Sequence, residues 1–175
     1  MLNLLLGSLY FILPAYFANM FPVIFGKLNL PLAKPINGKL FGSHKTWKGF
    51  YLGYLGALFI LAIQLYLKQT SIALPFSALL NYSEINLFFY AFLFGVGALT
   101  GDLVKSFFKR KIGIKPGRPW IIFDQLDFVI GALIFLAPFY LPPWENILAI
   151  LIITPLLHLF TNLLGFALRL KKVWW

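Results

Sequence analysis

The sequence predicts an all-α polytopic membrane protein with five transmembrane helices, N-terminus outside and C-terminus cytoplasmic, forming a single domain over residues 1–175. Three observations predict it. Of the 175 residues, 61% are hydrophobic and 11% charged, with a mean hydropathy of +0.85, which excludes an ordinary soluble domain. Five apolar stretches, at about 1–25, 47–67, 85–108, 120–141 and 146–168, each approach the roughly 20 residues that a bilayer requires. The basic residues are one-sided. Lys27, Lys34, Lys39, Lys45 and Lys48 follow span one, Lys105, Lys109, Arg110, Lys111, Lys115 and Arg118 follow span three, and Arg169, Lys171 and Lys172 follow span five. The opposite side carries only Lys68. By the positive-inside rule the rich side is cytoplasmic. The net charge of +10 is therefore explained by topology and anionic headgroups, and no nucleic-acid partner is expected.

The elements follow in order. Span one contains Pro14 and Pro22 and is predicted to kink. It has no basic leader and no small-residue cleavage site, so it reads as part of the mature bundle. The first cytoplasmic loop, residues 26–46, is rich in proline and glycine, which excludes a continuous helix, and its length marks it as functional. Span two carries Trp47 and Tyr66 for the two interfaces. The outer loop from Lys68 to Glu84 contains "ALPFSALL", expected as a short interfacial helix. In span three, Gly95, Gly97 and Gly101 permit close helix contact, and the apolar pattern carries the helix to about Lys109. The second cytoplasmic loop, 109–119, breaks it at "GIKPGRP". Span four is expected to start after Pro119, a favoured first-turn residue. Span five places Thr154, His158, Thr161 and Asn162 on one face, with His158 as a helix–helix hydrogen-bonding group. There are no cysteines, which excludes disulfides, thiolate metal sites and a cysteine nucleophile.

The charge is concentrated in "GDLVKSFFKRKIGIKPGRPWIIFDQLD". Three of the five acidic residues, Asp102, Asp124 and Asp127, lie at its two ends, with six basic residues between them. Asp102, Lys105 and Lys109 fall at i, i+3 and i+7, on one helix face. Asp124 and Asp127 share a face at the start of span four. Antiparallel packing of spans three and four brings both faces together below the cytoplasmic surface. The plain alternative is local: Asp102 pairs with Lys105 on its own helix, while Asp124 and Asp127 complement the positive end of the span-four dipole. Intramembrane acids are costly and usually line cavities or ion sites. Three at one depth, with no equal number of buried cations opposite, point to a hard divalent cation. Oxygen donors suit Mg2+, which bridges carboxylates to substrate phosphates, and the surrounding lysines and arginines would hold those phosphates. In the first loop, "GSHKTWKG" reads either as a headgroup-binding loop or as a phosphate clamp. His44 has no partner close in sequence to complete a metal site.

These residues resemble the CTP:phosphatidate cytidylyltransferase family, the CDP-diacylglycerol synthases. "GDLVKS", "KRKIGIKPG" and "DQLD" are similar, in order, to that family's opening, its basic turn and its closing aspartate pair, and "HKTWKG" is similar to its Lys-Thr-Trp-Glu-Gly element. The chain departs from the pattern at "PGRPWIIFD", which replaces a His-Gly-Gly turn, and at Gln125, where the family carries arginine. Its short length and looser motif are most similar to the archaeal CDP-archaeol synthases.

The resemblance implies a Mg2+-dependent nucleotidyltransferase. An isoprenoid ether-lipid phosphate, 2,3-bis-O-geranylgeranylglyceryl phosphate, would attack the α-phosphorus of CTP, giving CDP-archaeol and pyrophosphate. It implies that Asp102, Asp124 and Asp127 hold one or two Mg2+ ions and are catalytic together with Lys105. It implies that Lys45, Thr46, Lys48, Lys109, Arg110, Lys115 and Ser106 bind CTP and its phosphates. The expected location is the cell membrane, multi-pass, with the active site facing the cytoplasm. Rival readings are a phosphatidate enzyme, a CTP-dependent polyprenol kinase and, outside enzymes, a small cation-coupled transporter.

Overall fold

The computed structural model describes residues 1–70, 79–115 and 118–167. "ALPFSALL" falls almost wholly outside these residues, as do Arg169, Lys171 and Lys172. The helices are α1 (Leu2–Phe25), α2 (Trp47–Gln69), α3 (Leu87–Lys111), α4 (Phe123–Leu136) and α5 (Trp144–Ala167). Helix α1 packs against every other helix, while α2, α3, α4 and α5 form an arc around it, each touching its sequence neighbour. The core is aromatic and small: Phe11, Ala15 and Ala18 of α1 meet Ala57 and Leu61 of α2, Phe94 and Ala98 of α3, and Phe128 and Ala132 of α4. Large apolar side chains such as Phe59, Phe92, Ile134, Ile152 and Phe160 point outward.

Helices α1, α2, α3 and α5 are long and apolar enough to cross a membrane. Helix α4 is shorter than the expected span 120–141. Its 14 residues extend about 21 Å at 1.5 Å each, short of a hydrocarbon core of about 30 Å. Both expected ends of 120–141 move inward. At the start, Trp120 N donates to Asp124 Oδ2 at 2.6 Å and Ile122 N donates to Gln125 Oε1 at 3.2 Å. These side chains take up the backbone donors ahead of the helix, so it begins at Phe123 and not just after Pro119. At the far end the helix stops two residues before Pro138, whose ring nitrogen cannot continue the ladder.

Pro14 shows how the bundle accommodates a proline in α1. Without an N–H, residue 14 leaves the Tyr10 carbonyl without its helix donor. Gln64 of α2 supplies one, its Nε2 lying 2.6 Å from Tyr10 O in the buried core. Gln64→Leu is therefore expected to cost about 1 kcal/mol, read as a lowered unfolding midpoint in detergent. In a Pro14→Ala background the backbone donor returns, and the same substitution should cost nothing. Equal losses in both backgrounds would refute this pairing.

Span five is tied to α1 by Tyr16 OH donating to Thr154 Oγ1 at 2.7 Å and by Asn146 Nδ2 donating to Ser8 Oγ at 2.9 Å. Of the four polar residues expected on one face, Thr154 and Asn162 are buried and His158 is partly buried. Thr161 is exposed and spends its hydroxyl on the His158 carbonyl of its own helix. His158 Nδ1 lies 3.1 Å from Asn162 Nδ2, also on the same helix.

Candidate active site

Helices α3 and α4 cross at glycine. A Cβ placed on Gly101 would stand 2.0 Å from Asp127 O, and one on Gly131 would stand 2.2 Å from Gly97 O. The G-x-x-x-G spacing of Gly97 and Gly101 thus lets two backbones touch. One turn further along, Asp102 and Lys105 on α3 face Asp124 and Asp127 on α4.

Lys105 occupies the centre. Its Nζ lies 3.0 Å from Asp102 Oδ1, 3.0 Å from Asp124 Oδ1 and 2.7 Å from Asp127 Oδ2. Lys109 pairs with Asp124 at 2.9 Å and donates to Arg118 O at 2.7 Å, which anchors the second loop. Lys45, from the first loop, pairs with Asp102 Oδ2. Asp102 does pair with Lys105 on its own helix, as the local alternative held, but Lys105 also reaches across to both acids of α4. The expectation that the acids lack an equal number of cations is corrected: three carboxylates meet three ammonium groups. All are mostly buried, with side-chain exposures from 5% for Asp127 to 27% for Lys45. Such an array is held by geometry, because isolated charges would be expelled from this environment.

The first loop is more ordered than its composition implied. Ile36 N donates to Lys45 O at 2.8 Å and Lys48 N donates to Leu32 O at 2.8 Å, with Pro35 and Thr46 bridged. Residues 32–36 thereby pair antiparallel to 45–48 and hold Lys45 over α3. Thr46 caps α2, its Oγ1 accepting from Gly49 N at 3.0 Å. Lys48 Nζ donates to Gly26 O at 2.7 Å, tying down the end of α1. Among the remaining expected phosphate ligands, Arg110 donates to Ile114 O, Ser106 is buried and Lys115 is exposed. The structure thus joins Asp102, Asp124, Asp127, Lys45, Lys105 and Lys109. Thr46, Lys48 and Arg110 serve the surrounding backbone.

Three cavities have residues of the array in their walls and share no lining residue; one, of about 530 Å³ between the second loop, α4 and α5, is lined by Lys109 and Asp124. Between α3 and α4 runs a groove of about 560 Å³, lined by apolar side chains including Val104, Phe108, Phe123 and Ile130, with Lys105 and Asp127 among its walls. On the other side lies a pocket of about 250 Å³, bounded by α1, the first loop, α2 and α3, with Lys45 and Asp102 in its wall. The chain Lys45–Asp102–Lys105–Asp127 is the partition between an apolar groove and a more polar pocket.

The model of the CarS-like family, CDP-archaeol synthase, matches residues 1–175. The chain belongs to this family. A CDP-archaeol synthase of Methanocaldococcus jannaschii is 40% identical over 180 residues, covering 99% of this chain and 98% of the relative. One from Pyrococcus furiosus is 37% identical over 176 residues, covering 98% of each. A solved intramembrane enzyme of archaeal membrane lipid biosynthesis superposes with a TM-score of 0.69 at 28% identity, covering 89% of this chain and 92% of that one. Family membership agrees with the resemblance carried by "GDLVKS" and "DQLD".

Two residues of the site escaped the motif reading. Gln125, a departure from the arginine of the wider pattern, caps the start of α4 through Ile122 N. Trp120 stacks on Phe123 at 4.3 Å between ring centroids, and both line the apolar groove. The signal available for Trp120 was its place just after Pro119, at the expected membrane boundary.

Among the described residues, no group of three or more His, Cys, Asp or Glu side chains is spaced to hold a metal by itself. The donor chemistry nevertheless suits Mg2+, since three carboxylates already surround one cation, the Lys105 ammonium, and Mg2+ takes one or two carboxylates together with substrate phosphates.

Proposed function

We propose that this membrane protein transfers CMP from CTP to 2,3-bis-O-geranylgeranylglyceryl phosphate, giving CDP-archaeol and pyrophosphate. The observation that carries the reading is the ion-pair partition between an apolar groove and a polar pocket. A lipid phosphate and a nucleotide are two such different partners, and they must meet at one point. The relatives' name, CDP-archaeol synthase, supports the same pair of substrates.

The groove between α3 and α4 would take the isoprenoid chains, since its walls include Val104, Phe108 and Ile134, which are exposed on the outer surface of the bundle. The lipid's phosphate would then stand at Lys105. A phosphate oxygen attacks the α-phosphorus of CTP, a new P–O–P linkage forms, and the bond to the β-phosphate breaks to release pyrophosphate. The nucleophile is already an anion, so no strong base is required, and catalysis rests on positioning and on neutralising charge. Lys45, Lys105 and Lys109 would turn from carboxylates to phosphate oxygens. Asp102, Asp124 and Asp127, thereby released, are the residues that would hold Mg2+. Bound there, Mg2+ would neutralise phosphate charge. Following the one-sided distribution of Lys and Arg, the array faces the cytoplasm, and the protein is a multi-pass protein of the cell membrane with its N-terminus outside.

The experiment is incubation of purified protein in liposomes with Mg2+, CTP labelled at the α-phosphate, and either the isoprenoid ether phosphate or phosphatidate. Label should enter the ether lipid with release of pyrophosphate. Label remaining in CDP would indicate a kinase, and cation flux without nucleotide would indicate a carrier; either result overturns the assignment.

A further inference from the structure

Asn19 lies on α1 in the wall of the smaller pocket, the one that also contains Lys45 and Asp102. Helix α1 is long and apolar enough to cross a membrane, and its other mid-helix hydrogen-bonding side chains are engaged. Ser8 accepts from Asn146, and Tyr16 donates to Thr154. Tyr10 also has a partner. The Asn19 amide, half-buried, makes no hydrogen bond to another described residue. A primary amide carries two donors and an acceptor, so from the pocket wall it can both give and take a hydrogen bond with a ligand. The surrounding pocket is apolar on the sides formed by Pro22, Phe50, Leu99 and Leu103, and polar where His44, Lys45 and Asp102 stand.

We propose that Asn19 is a specificity-determining residue that binds the pyrimidine edge of the nucleotide, its carbonyl accepting from the 4-amino group and its NH2 donating to ring N3. This rests on the CTP-dependent reading above. The pocket's lining would suit a nucleoside with its ring between the apolar side chains and its polar groups toward Lys45. The ribose would extend toward Lys45, and the α-phosphate would meet the ion-pair partition. A volume of about 250 Å³ is just below the usual range of ligand sites, so it would take the base alone and suits a pyrimidine more than a purine. The apolar groove offers no comparable amide.

The test compares CTP with an analogue lacking the 4-amino group, in wild type and in Asn19→Leu. Wild type should show a KM for the analogue roughly tenfold above that for CTP, the effect of one lost hydrogen bond. In Asn19→Leu, which removes both hydrogen bonds, the KM for CTP should rise by more than that factor and the two nucleotides should become equivalent, with kcat and the KM for the lipid phosphate unchanged. Val23→Trp is the second variant. Val23 lines the same pocket but is 80% exposed, so the substitution leaves the core untouched while narrowing the pocket. It should raise the KM for CTP and not that for the lipid. If Asn19→Leu keeps the wild-type preference for CTP over the analogue, the inference is wrong while the cytidylyltransferase reading stands. A wild-type protein that transfers no CMP removes both.

Discussion

Lys105→Met is expected to lower CDP-lipid formation roughly 100- to 1000-fold and to destabilise the bundle by about 3–5 kcal/mol. The two effects have one cause. Among the described residues, Lys105 is the only side chain that touches all three aspartates of the array. After its removal Asp102 keeps Lys45, and Asp124 keeps Lys109 and the Trp120 N–H. Among the described residues Asp127 keeps only the N–H of Phe128, at 2.7 Å, although its side chain is 5% exposed. Methionine restores the volume, so the loss measures charge and not a cavity. Adding Asp127→Asn should recover most of the stability, because it removes the uncompensated charge. It should not recover activity, because phosphate neutralisation at that point is gone. Thermal unfolding in detergent and incorporation of labelled CTP read the two quantities separately. A Lys105→Met protein that unfolds at the wild-type temperature would show that Asp127 does not depend on this lysine.

How far the sequence foretold this site depends on the range of the interactions involved. Asp102, Lys105 and Lys109 were placed together correctly because helical periodicity is local and forces them onto one face. Their meeting with Asp124 and Asp127 followed from antiparallel packing across a short loop. The length of α4 differs from the expected span because hydrophobicity continues through residues 120–122 and 137–141, where the backbone bonds as turns, with Phe139 N and Tyr140 N both donating to Leu136 O, and not as continuous helix. Asp124 and Gln125 take up the N–H groups of Trp120 and Ile122, and no apolar pattern reveals that. Thr46 and Lys48 were grouped with Lys45 as phosphate ligands because they are adjacent in sequence. The pairing of residues 32–36 with 45–48 aims Lys45 at Asp102 and Lys48 at the end of α1, while Thr46 lines the same pocket as Lys45. The balance of charge was also invisible, since Lys45 is 57 residues from Asp102.

The glycine crossing carries the second large effect, and it tests whether the site depends on helix spacing and not only on its charged side chains. Gly101→Ala should destabilise the protein by about 3 kcal/mol, at the upper end for an overpacked core. The new Cβ would meet Asp127 O at 2.0 Å, a backbone atom that no rotamer change can move aside. Relief requires α4 to shift away from α3, and α4 carries both Asp124 and Asp127. A displacement of about 1 Å at a reacting centre costs roughly 100-fold in rate, so activity should fall by that factor even in the fraction that remains folded. Gly38→Ala is the control. Nothing lies within 4 Å of a Cβ there, so its unfolding and turnover should match wild type. The ion pairs themselves contain no altered residue in Gly101→Ala, and a loss of rate would therefore report the distance between the two helices. Wild-type turnover and melting in Gly101→Ala would mean that α3 and α4 do not cross this closely, and the partition between groove and pocket would have to be built another way.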